Sequence, residues 1–264
     1  MMAHPLEELL TIGARAALER ARATPMSYAC RLYSCPTASG EPPRVLSVVG
    51  EAHVKLGPAA ILGREIVANF DLRGVETFQA RRVVWGRLLG ALIQGPRLLL
   101  RTLSLGMVEG STIPEAKALR FGRTVELEET TEVPFSLHAG SVYLSLFFLV
   151  SFAHLAFVIV SSVVPGADGS LAAPISWLTI VALAFQAHML CLVPAWLLRR
   201  HSWAWIVHPA IAILNARDVL MANGTVRMLA ANPKPSSAIV IMGRAHLPGF
   251  GLELEKRGFV RLDA

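Results

Sequence analysis

Two long stretches without a charged residue constrain this chain more than any other feature of its sequence. Residues 142–164 and 175–198 contain no Asp, Glu, Lys or Arg, and each exceeds the roughly 20 apolar residues that cross a bilayer as a helix. Hydrophobic residues make up 53% of the chain and charged residues only 17%, which is unusual for a soluble domain. We therefore expect two transmembrane helices, joined as a hairpin by the turn-like residues 165–170.

The distribution of basic residues predicts how this hairpin is oriented. Lys117, Arg120 and Arg123 precede the first stretch, and Arg199 and Arg200 follow the second, whereas the connector has no Lys or Arg. Because basic flanks stay on the cytoplasmic side, we expect the connector outside and both chain ends in the cytoplasm, in the plasma or inner membrane. The predicted organisation is an N-terminal half (1–136), the hairpin (137–200) and a C-terminal half (201–264).

A similar four-residue motif occurs on each side of the hairpin. Gly50-Glu51-Ala52-His53 follows the apolar run 44–49, and Gly243-Arg244-Ala245-His246 follows the apolar run 238–242. Such short β-branched runs predict buried strands, and a glycine at the carboxyl end of a strand lets the chain turn where open α/β sheets place their ligands. Since two crossings return the chain to the side it left, His53 and His246 can share one cytoplasmic site.

The residues after the first motif predict a β-α-β unit. Residues 59–70 are typical of a helix and residues 72–78 of a strand parallel to the first, which places Glu76 at its end, beside the first motif. Residues 125–132 are compatible with a further strand, but their glutamates favour a solvated edge or loop.

These segments resemble a known family. Residues 74–81, in which Glu76 is followed five residues later by Arg81, are similar to the TraB/PrgY family, which is related to the GumN and Tiki proteins. Residues 215–222, with Arg217-Asp218 followed by Met221-Ala222, resemble the family's Arg-Asp helix, and residues 239–260 resemble its closing segment. The likeness covers about residues 44–82 and 215–262.

The resemblance implies an α/β fold, a TraB/ChaN-like mixed sheet with flanking helices, interrupted here by the transmembrane hairpin. The chain departs from the family pattern in having Arg244 and Ala245 inside the second motif and the hairpin between the two motifs. Glu51 makes the first motif closer to the Gly-Glu-x-His of the ChaN-like proteins, which share this broad fold group.

The resemblance also implies a metal-dependent peptidase or hydrolase site. His53, Glu76 and His246 are the implied ligands of a divalent ion, Mn, Co, Fe or Zn, which can lower the pKa of a bound water toward neutrality. Glu51 is then a general base or supports the ligands. Arg81 and Arg217 are expected to clamp a substrate carboxylate or stabilise negative charge; a salt bridge from either arginine to Glu76 or Asp218 is the alternative.

Two other functions stay open at this point. The PrgY branch implies handling of small peptide pheromones, which needs a peptide-binding pocket but no turnover. A channel or transporter is suggested by His154, Gln186 and His188 within the spans, although a His–Gln pair across the hairpin is the simpler explanation.

The net charge of +6 is better explained by interaction with a membrane than by binding to nucleic acid. The chain has no recognisable nucleic-acid-binding motif. Residues 81–101 interleave arginines with apolar residues, which is typical either of a helix at an anionic lipid surface or of a core helix with a solvated arginine face. Cys30, Cys35 and Cys191 are expected to be free thiols in a reducing compartment.

Overall fold

The structure is a computed structural model that describes residues 8–36, 42–52, 55–77, 88, 91–92, 108–109, 111–128, 133–163, 172–199, 201 and 203–263. The chain divides into two compact units. The first, an α/β unit, comprises Met1–Phe78, Pro96–Thr131 and Arg217–Ala264. The second, the hairpin unit, comprises Gln79–Gly95 and Glu132–Ala216. The α/β unit is therefore assembled from three separate chain segments.

The described elements follow one another in this order: α1 (Ile12–Arg22), β1 (Tyr28–Ser34), β2 (Val45–Glu51), β3 (Lys55–Leu56), α2 (Gly57–Ala68), β4 (Leu72–Val75), β5 (Val108–Glu109), α3 (Ile113–Ala118), β6 (Arg123–Glu126), α4 (Phe135–Val163), α5 (Ala172–Met189), α6 (Leu192–Leu197), α7 (Ala204–Val207), α8 (Ala210–Ala231), β7 (Ser237–Gly243), α9 (Leu247–Glu255) and β8 (Val260–Arg261). The single turn Arg244–His246 between β7 and α9 is a 3-10 helix.

The main sheet of the α/β unit is mixed and has six strands in the order β6-β4-β7-β2-β1-β8. The four strands β6, β4, β7 and β2 are mutually parallel, and β1 is antiparallel to both of its neighbours. The predicted α/β class, with a mixed sheet and flanking helices, is confirmed. The strand order differs from the predicted β-α-β unit, because β7 lies between β2 and β4 and pairs with both.

Helices cover both faces of this sheet, which explains the unbroken apolar runs of β2 and β7. Side chains alternate along each strand, so Val49 and Ile241 pack with Ile66 of α2 on one face. Val48 and Met242 contribute to the opposite core. That core also contains Met221 and Leu229 of α8 and Phe250 and Leu254 of α9. A strand buried on both faces reads as a continuous hydrophobic run, as the sequence predicts for both motif strands.

The hairpin unit contains the two apolar segments. Phe135–Val163 and Trp177–Leu197 have mean hydropathies of 2.3 and 1.9 and are long and apolar enough to span a membrane. The second segment is divided into α5 and α6 near Leu190. Pro194 has no N–H to donate to the Leu190 carbonyl, which accepts from the Val193 N–H at 3.3 Å instead. The connector 165–170 lies outside the described residues.

Candidate functional site

The two motif strands end side by side at one edge of the sheet. β2 and β7 are parallel neighbours, with Gly50 opposite Met242 and Glu51 opposite Gly243. A Cβ atom on Gly50 would lie 3.2 Å from the Arg244 Cα atom and 3.3 Å from the Leu247 Cβ atom, so this glycine permits the close packing of the second motif. Both motifs therefore leave the sheet at the same edge. His53 lies outside the described residues.

Glu76 lies beside the second motif rather than the first, which corrects the predicted position. Its N–H donates to the Ile241 carbonyl of β7 at 3.0 Å, and its buried carboxylate accepts from the Gly243 N–H. The reason is the strand order, since β7 inserts between the strands that lead to Glu51 and to Glu76. Two predicted ligands, Glu76 and His246, are thus placed on adjacent strand ends.

His246 lies in the 3-10 turn after β7, with only 3% of its surface exposed. Its Nδ1 atom is 2.6 Å from Asp218 Oδ1 and its Nε2 atom is 3.6 Å from Glu76 Oε1. An ionised carboxylate can only accept, so Nδ1 donates to Asp218 and a neutral imidazole carries its lone pair on Nε2. Asp218 thereby orients His246 with Nε2 toward Glu76, as carboxylates do for metal-binding histidines.

Arg217 connects two glutamates instead of pairing with its neighbour Asp218. It donates to Glu76 Oε1 at 2.6 Å and to Glu128 through Nε at 2.5 Å and Nη2 at 3.0 Å. Burial alone would lower the pKa of Arg217, but Glu128 and Glu76 outweigh it and raise that pKa. Burial raises the pKa of the Glu128 carboxyl, although Arg217 opposes this shift.

The described side chains of this cluster carry more negative than positive charge. Three buried carboxylates, Glu76, Glu128 and Asp218, surround one buried guanidinium and one imidazole. With His246 neutral and the carboxylates ionised, these five residues carry two more negative than positive charges. Buried charge of one sign is costly, so the described residues favour a further cation, which can be another side chain of the chain, a proton or a metal ion.

Two of the three predicted metal ligands, Glu76 and His246, lie among the described residues. Glu76 Oε1 and His246 Nε2 are close enough for one ion to contact both, and a carboxylate with an imidazole suits the predicted metals. Among the described residues, no group of three His, Cys, Asp or Glu side chains is arranged to hold a metal ion. The third predicted ligand, His53, and the predicted Arg81 both lie outside those residues.

Glu51 occupies a separate buried cluster. Its carboxylate lies 2.5 Å from Lys55 Nζ, and both side chains are completely buried. It also accepts from the Thr112 N–H at 3.0 Å and from the hydroxyls of Thr112 and Ser111. Because the Glu51 carboxylate already accepts from these donors, it has little capacity left to accept a proton from a water nucleophile. Its position therefore favours a structural role in the first motif over the role of general base.

The sequence prediction did not select Glu128 or Asp218 as site residues. Glu128 belongs to a run that was expected to be solvated; β6 is indeed an edge strand, yet Glu128 just beyond it is buried. Asp218 entered only as a partner for an arginine, whereas the structure pairs it with His246. The adjacent charges Arg217 and Asp218 in a largely apolar helix were the available signal.

Gly249, three residues after the second motif, leaves room for the Asp218 carboxylate. A Cβ atom at Gly249 would lie 1.8 Å from Asp218 Oδ2 and 2.9 Å from its Cγ atom. We expect Gly249→Ala to displace Asp218 and release Nδ1 of His246, with loss of the imidazole orientation but retention of the sheet. Nitrogen NMR of histidine-labelled protein should show His246 losing its Nδ1–H tautomer. Gly57→Ala is the control, because a Cβ atom there has no neighbour within 4 Å, and an unchanged His246 spectrum in Gly249→Ala would contradict the prediction.

Both ring nitrogens of His188, in the second apolar segment, have local partners. His188 is bonded through Nδ1 to the Tyr143 hydroxyl at 2.7 Å and through Nε2 to the Val207 carbonyl at 3.3 Å. Its partner across the hairpin is Tyr143 of α4, whereas Gln186 lies on the same helix as His188 and is exposed. These contacts favour a role for His188 in packing and not in transport.

Comparison with known proteins identified no relative of this chain. No protein-family model, no curated protein and no solved structure matches the chain. The fold and the site geometry therefore carry the functional argument.

Proposed function

We propose that this chain is a membrane-anchored hydrolase of the TraB kind, with a divalent-metal-dependent peptidase site at the edge where β2, β7 and β4 end. The observation that carries the proposal is the approach of His246 Nε2 to Glu76 Oε1 at 3.6 Å, with Asp218 behind the imidazole. Residues more than 160 positions apart in the chain would not converge in this way for local reasons. Their convergence matches the ligands that the family resemblance implies.

Each residue has a defined part in this proposal. Glu76, His246 and His53 would hold the ion, which would supply a Lewis acid able to polarise a peptide carbonyl. Asp218 holds the Nδ1 proton of His246, so that Nε2 keeps its lone pair for the ion. Arg217 fixes Glu76 through Oε1 and the Gly243 N–H fixes it through Oε2, and both contacts restrict the carboxylate to one orientation.

The clamping role expected for Arg217 is less well supported than the alternative salt bridge. Its guanidinium already donates to Glu76 and Glu128, and a substrate carboxylate would have to compete with both. We therefore assign Arg217 to positioning Glu76. The same observation argues against a pocket that captures a peptide carboxylate through Arg217 without turnover.

The hairpin supplies the membrane anchor. Phe135–Val163 and Trp177–Leu197 have the required length and hydropathy, and their exposed side chains include Leu155, Ile159 and Leu183. Basic residues at both outer flanks of the hairpin support our proposal that it crosses the membrane twice with both chain ends on the cytoplasmic side. The substrate is accordingly a cytoplasmic peptide, and membrane lipid is the second partner.

Metal content tests this proposal directly. Detergent-purified protein should contain about one Mn, Co, Fe or Zn ion per chain by mass spectrometry, and His53→Ala, His246→Ala and Glu76→Gln should each lose at least about tenfold of it. His201→Ala is the matched control, since His201 is exposed in the hairpin unit. Cleavage of a peptide library should then require the same ion.

Either result is informative. Wild-type protein that holds no ion after reloading with these four metals would exclude the metallohydrolase and leave non-catalytic peptide binding as the better account. Metal binding without peptide cleavage would keep the site and reject the reaction. Circular dichroism of each variant establishes that the fold is retained.

A further inference from the structure

The α/β unit contains a second cleft that shares no lining residue with the site described above. It has a volume of about 860 Å³ and lies between the second half of α8, the end of β1 and the residues after α9. Small-molecule sites in proteins typically have volumes of about 300–1,000 Å³. The cleft is therefore large enough for a ligand of moderate size.

The lining combines positive charge with an apolar surface. Three arginines, Arg44, Arg227 and Arg257, line the cleft, and the described lining residues include no Asp or Glu. Val226, Leu229 and Phe259 provide apolar contacts between them. A surface of this composition complements a molecule with an anionic group and an apolar portion.

Backbone carbonyls hold Arg44 in place, and its positive charge is not neutralised by a carboxylate of the described residues. Its guanidinium donates to the backbone carbonyls of Leu229 at 2.9 Å, Asn232 at 2.6 Å and Pro235 at 3.0 Å. These carbonyls lie around the C-terminal end of α8, where a cation also offsets the helix dipole. Neutral partners fix the orientation of Arg44 but leave its formal charge in the cleft.

Arg257 is also fixed, and its charge is only partly compensated. It donates to Asn223 Oδ1 at 2.7 and 3.0 Å and to Glu253 Oε2 at 2.7 Å. Glu253 is shared with Lys256, whose Nζ lies 2.6 Å away. Arg257 therefore lines the cleft beside a carboxylate that Lys256 already shares.

We propose that this cleft binds an anionic amphiphile, a molecule in which one phosphate or carboxylate group is attached to an apolar chain. The arginines contact the anionic group through charge-assisted hydrogen bonds, and Val226, Leu229 and Phe259 contact the apolar chain. A membrane lipid and a soluble acyl phosphate share this chemistry. The proposal is independent of the hydrolase function.

Cys35 provides a reporter at the cleft, because it lines the cavity and is a free thiol. Burial raises the pKa of Cys35 to about 11 and that of Cys30, which does not line the cleft, to about 12. Labelling by N-ethylmaleimide at pH 9 is consequently slow at both thiols and is read for each one by peptide mass spectrometry. A ligand in the cleft should protect Cys35 and leave Cys30 unchanged.

The experiment uses the full chain in a neutral detergent with dodecyl phosphate, inorganic phosphate or dodecanol as probe. Dodecyl phosphate should slow labelling of Cys35 several-fold, and each of the other two probes should do so far less. Arg227→Gln/Arg257→Gln should weaken protection at least about tenfold. Lys256→Gln is the matched control, since Lys256 carries the same charge on the same Glu253 but does not line the cleft.

The outcomes separate the possibilities. Equal protection by dodecanol, or full protection in the double variant, would overturn the proposal. Protection in nanodiscs that contain phosphatidic acid, compared with phosphatidylcholine alone, identifies a membrane lipid as the source. Protection by dodecyl phosphate without any effect of phosphatidic acid identifies a soluble ligand.

Discussion

Arg217→Met is expected to destabilise the α/β unit by about 3–5 kcal/mol at pH 8, because it removes the guanidinium that neutralises two buried glutamates. Glu76 and Glu128 would then lose the cation that they share. Hydrogen exchange of the β7 peptide, followed by mass spectrometry, measures this loss. The exchange rate should rise roughly 10²- to 10⁴-fold. Tryptophan fluorescence is unsuitable, since all five tryptophans lie outside this unit.

The destabilisation in Arg217→Met should depend on pH in a defined direction. Burial already raises the pKa of Glu128, and removal of Arg217 raises it further. A carboxyl whose folded-state pKa is raised favours the folded state at low pH, and this contribution is lost as pH rises through that pKa. In Arg217→Met, amide exchange of the β7 peptide should therefore slow between pH 8 and pH 5 by more than the intrinsic pH dependence of amide exchange explains. Arg217→Met/Glu128→Gln should recover part of the loss at pH 8, and a pH-independent defect in the single variant would contradict this explanation.

Lys55→Met should produce the second large loss of stability, again of about 3–5 kcal/mol. The Lys55 ammonium lies 2.5 Å from Glu51, and neither side chain is exposed to solvent. Lys55 also lies over the Tyr28 ring, with Nζ 5.3 Å from its centroid. The variant leaves the Glu51 carboxylate buried with hydroxyl and N–H donors but without a cation. Exchange of the β2 peptide is the measurement.

A matched ion pair on the surface provides the control for Lys55→Met. Lys117 and Glu126 are also 2.5 Å apart, but their side chains are 38% and 47% exposed. Lys117→Met should cost less than about 1 kcal/mol, because water screens an exposed pair and solvates the remaining charge. Similar losses in both variants would show that burial does not determine the strength of the Glu51–Lys55 pair. In the double variant Lys55→Met/Glu51→Gln, most of the loss should be restored.

The apolar pattern of the sequence was sufficient to predict the elements that carry the motifs. β2 and β7 are continuous β-branched runs, and α2 begins and ends two residues before the predicted 59–70. β1 escaped prediction because Tyr28–Ser34 mixes Cys, Arg and Ser with apolar residues and lies next to the edge strand β8. A strand of this composition has no clear alternation, and its partner β2 determines its pairing.

The pairing of distant segments could not be predicted from local pattern. Val48 and Val240 are opposite each other in adjacent strands, yet neither sequence specifies the other as its neighbour. For the same reason the glutamates after β6 were expected to be solvated. Glu128 is buried because Arg217, 89 positions later, supplies its counter-charge, and such compensation becomes visible only when both residues are placed in space.

The position of β7 determines when the sheet can form during synthesis. Its residues leave the ribosome after those of both apolar helices, yet it is the strand that joins β4 to β2. Until then, each of these two strands has an unpaired edge, which favours association with other chains. Closing a contact over such a sequence separation is also slow. The nascent chain is thus expected to need protection by a chaperone until β7 has been synthesised, and the core of the α/β unit is completed only afterwards.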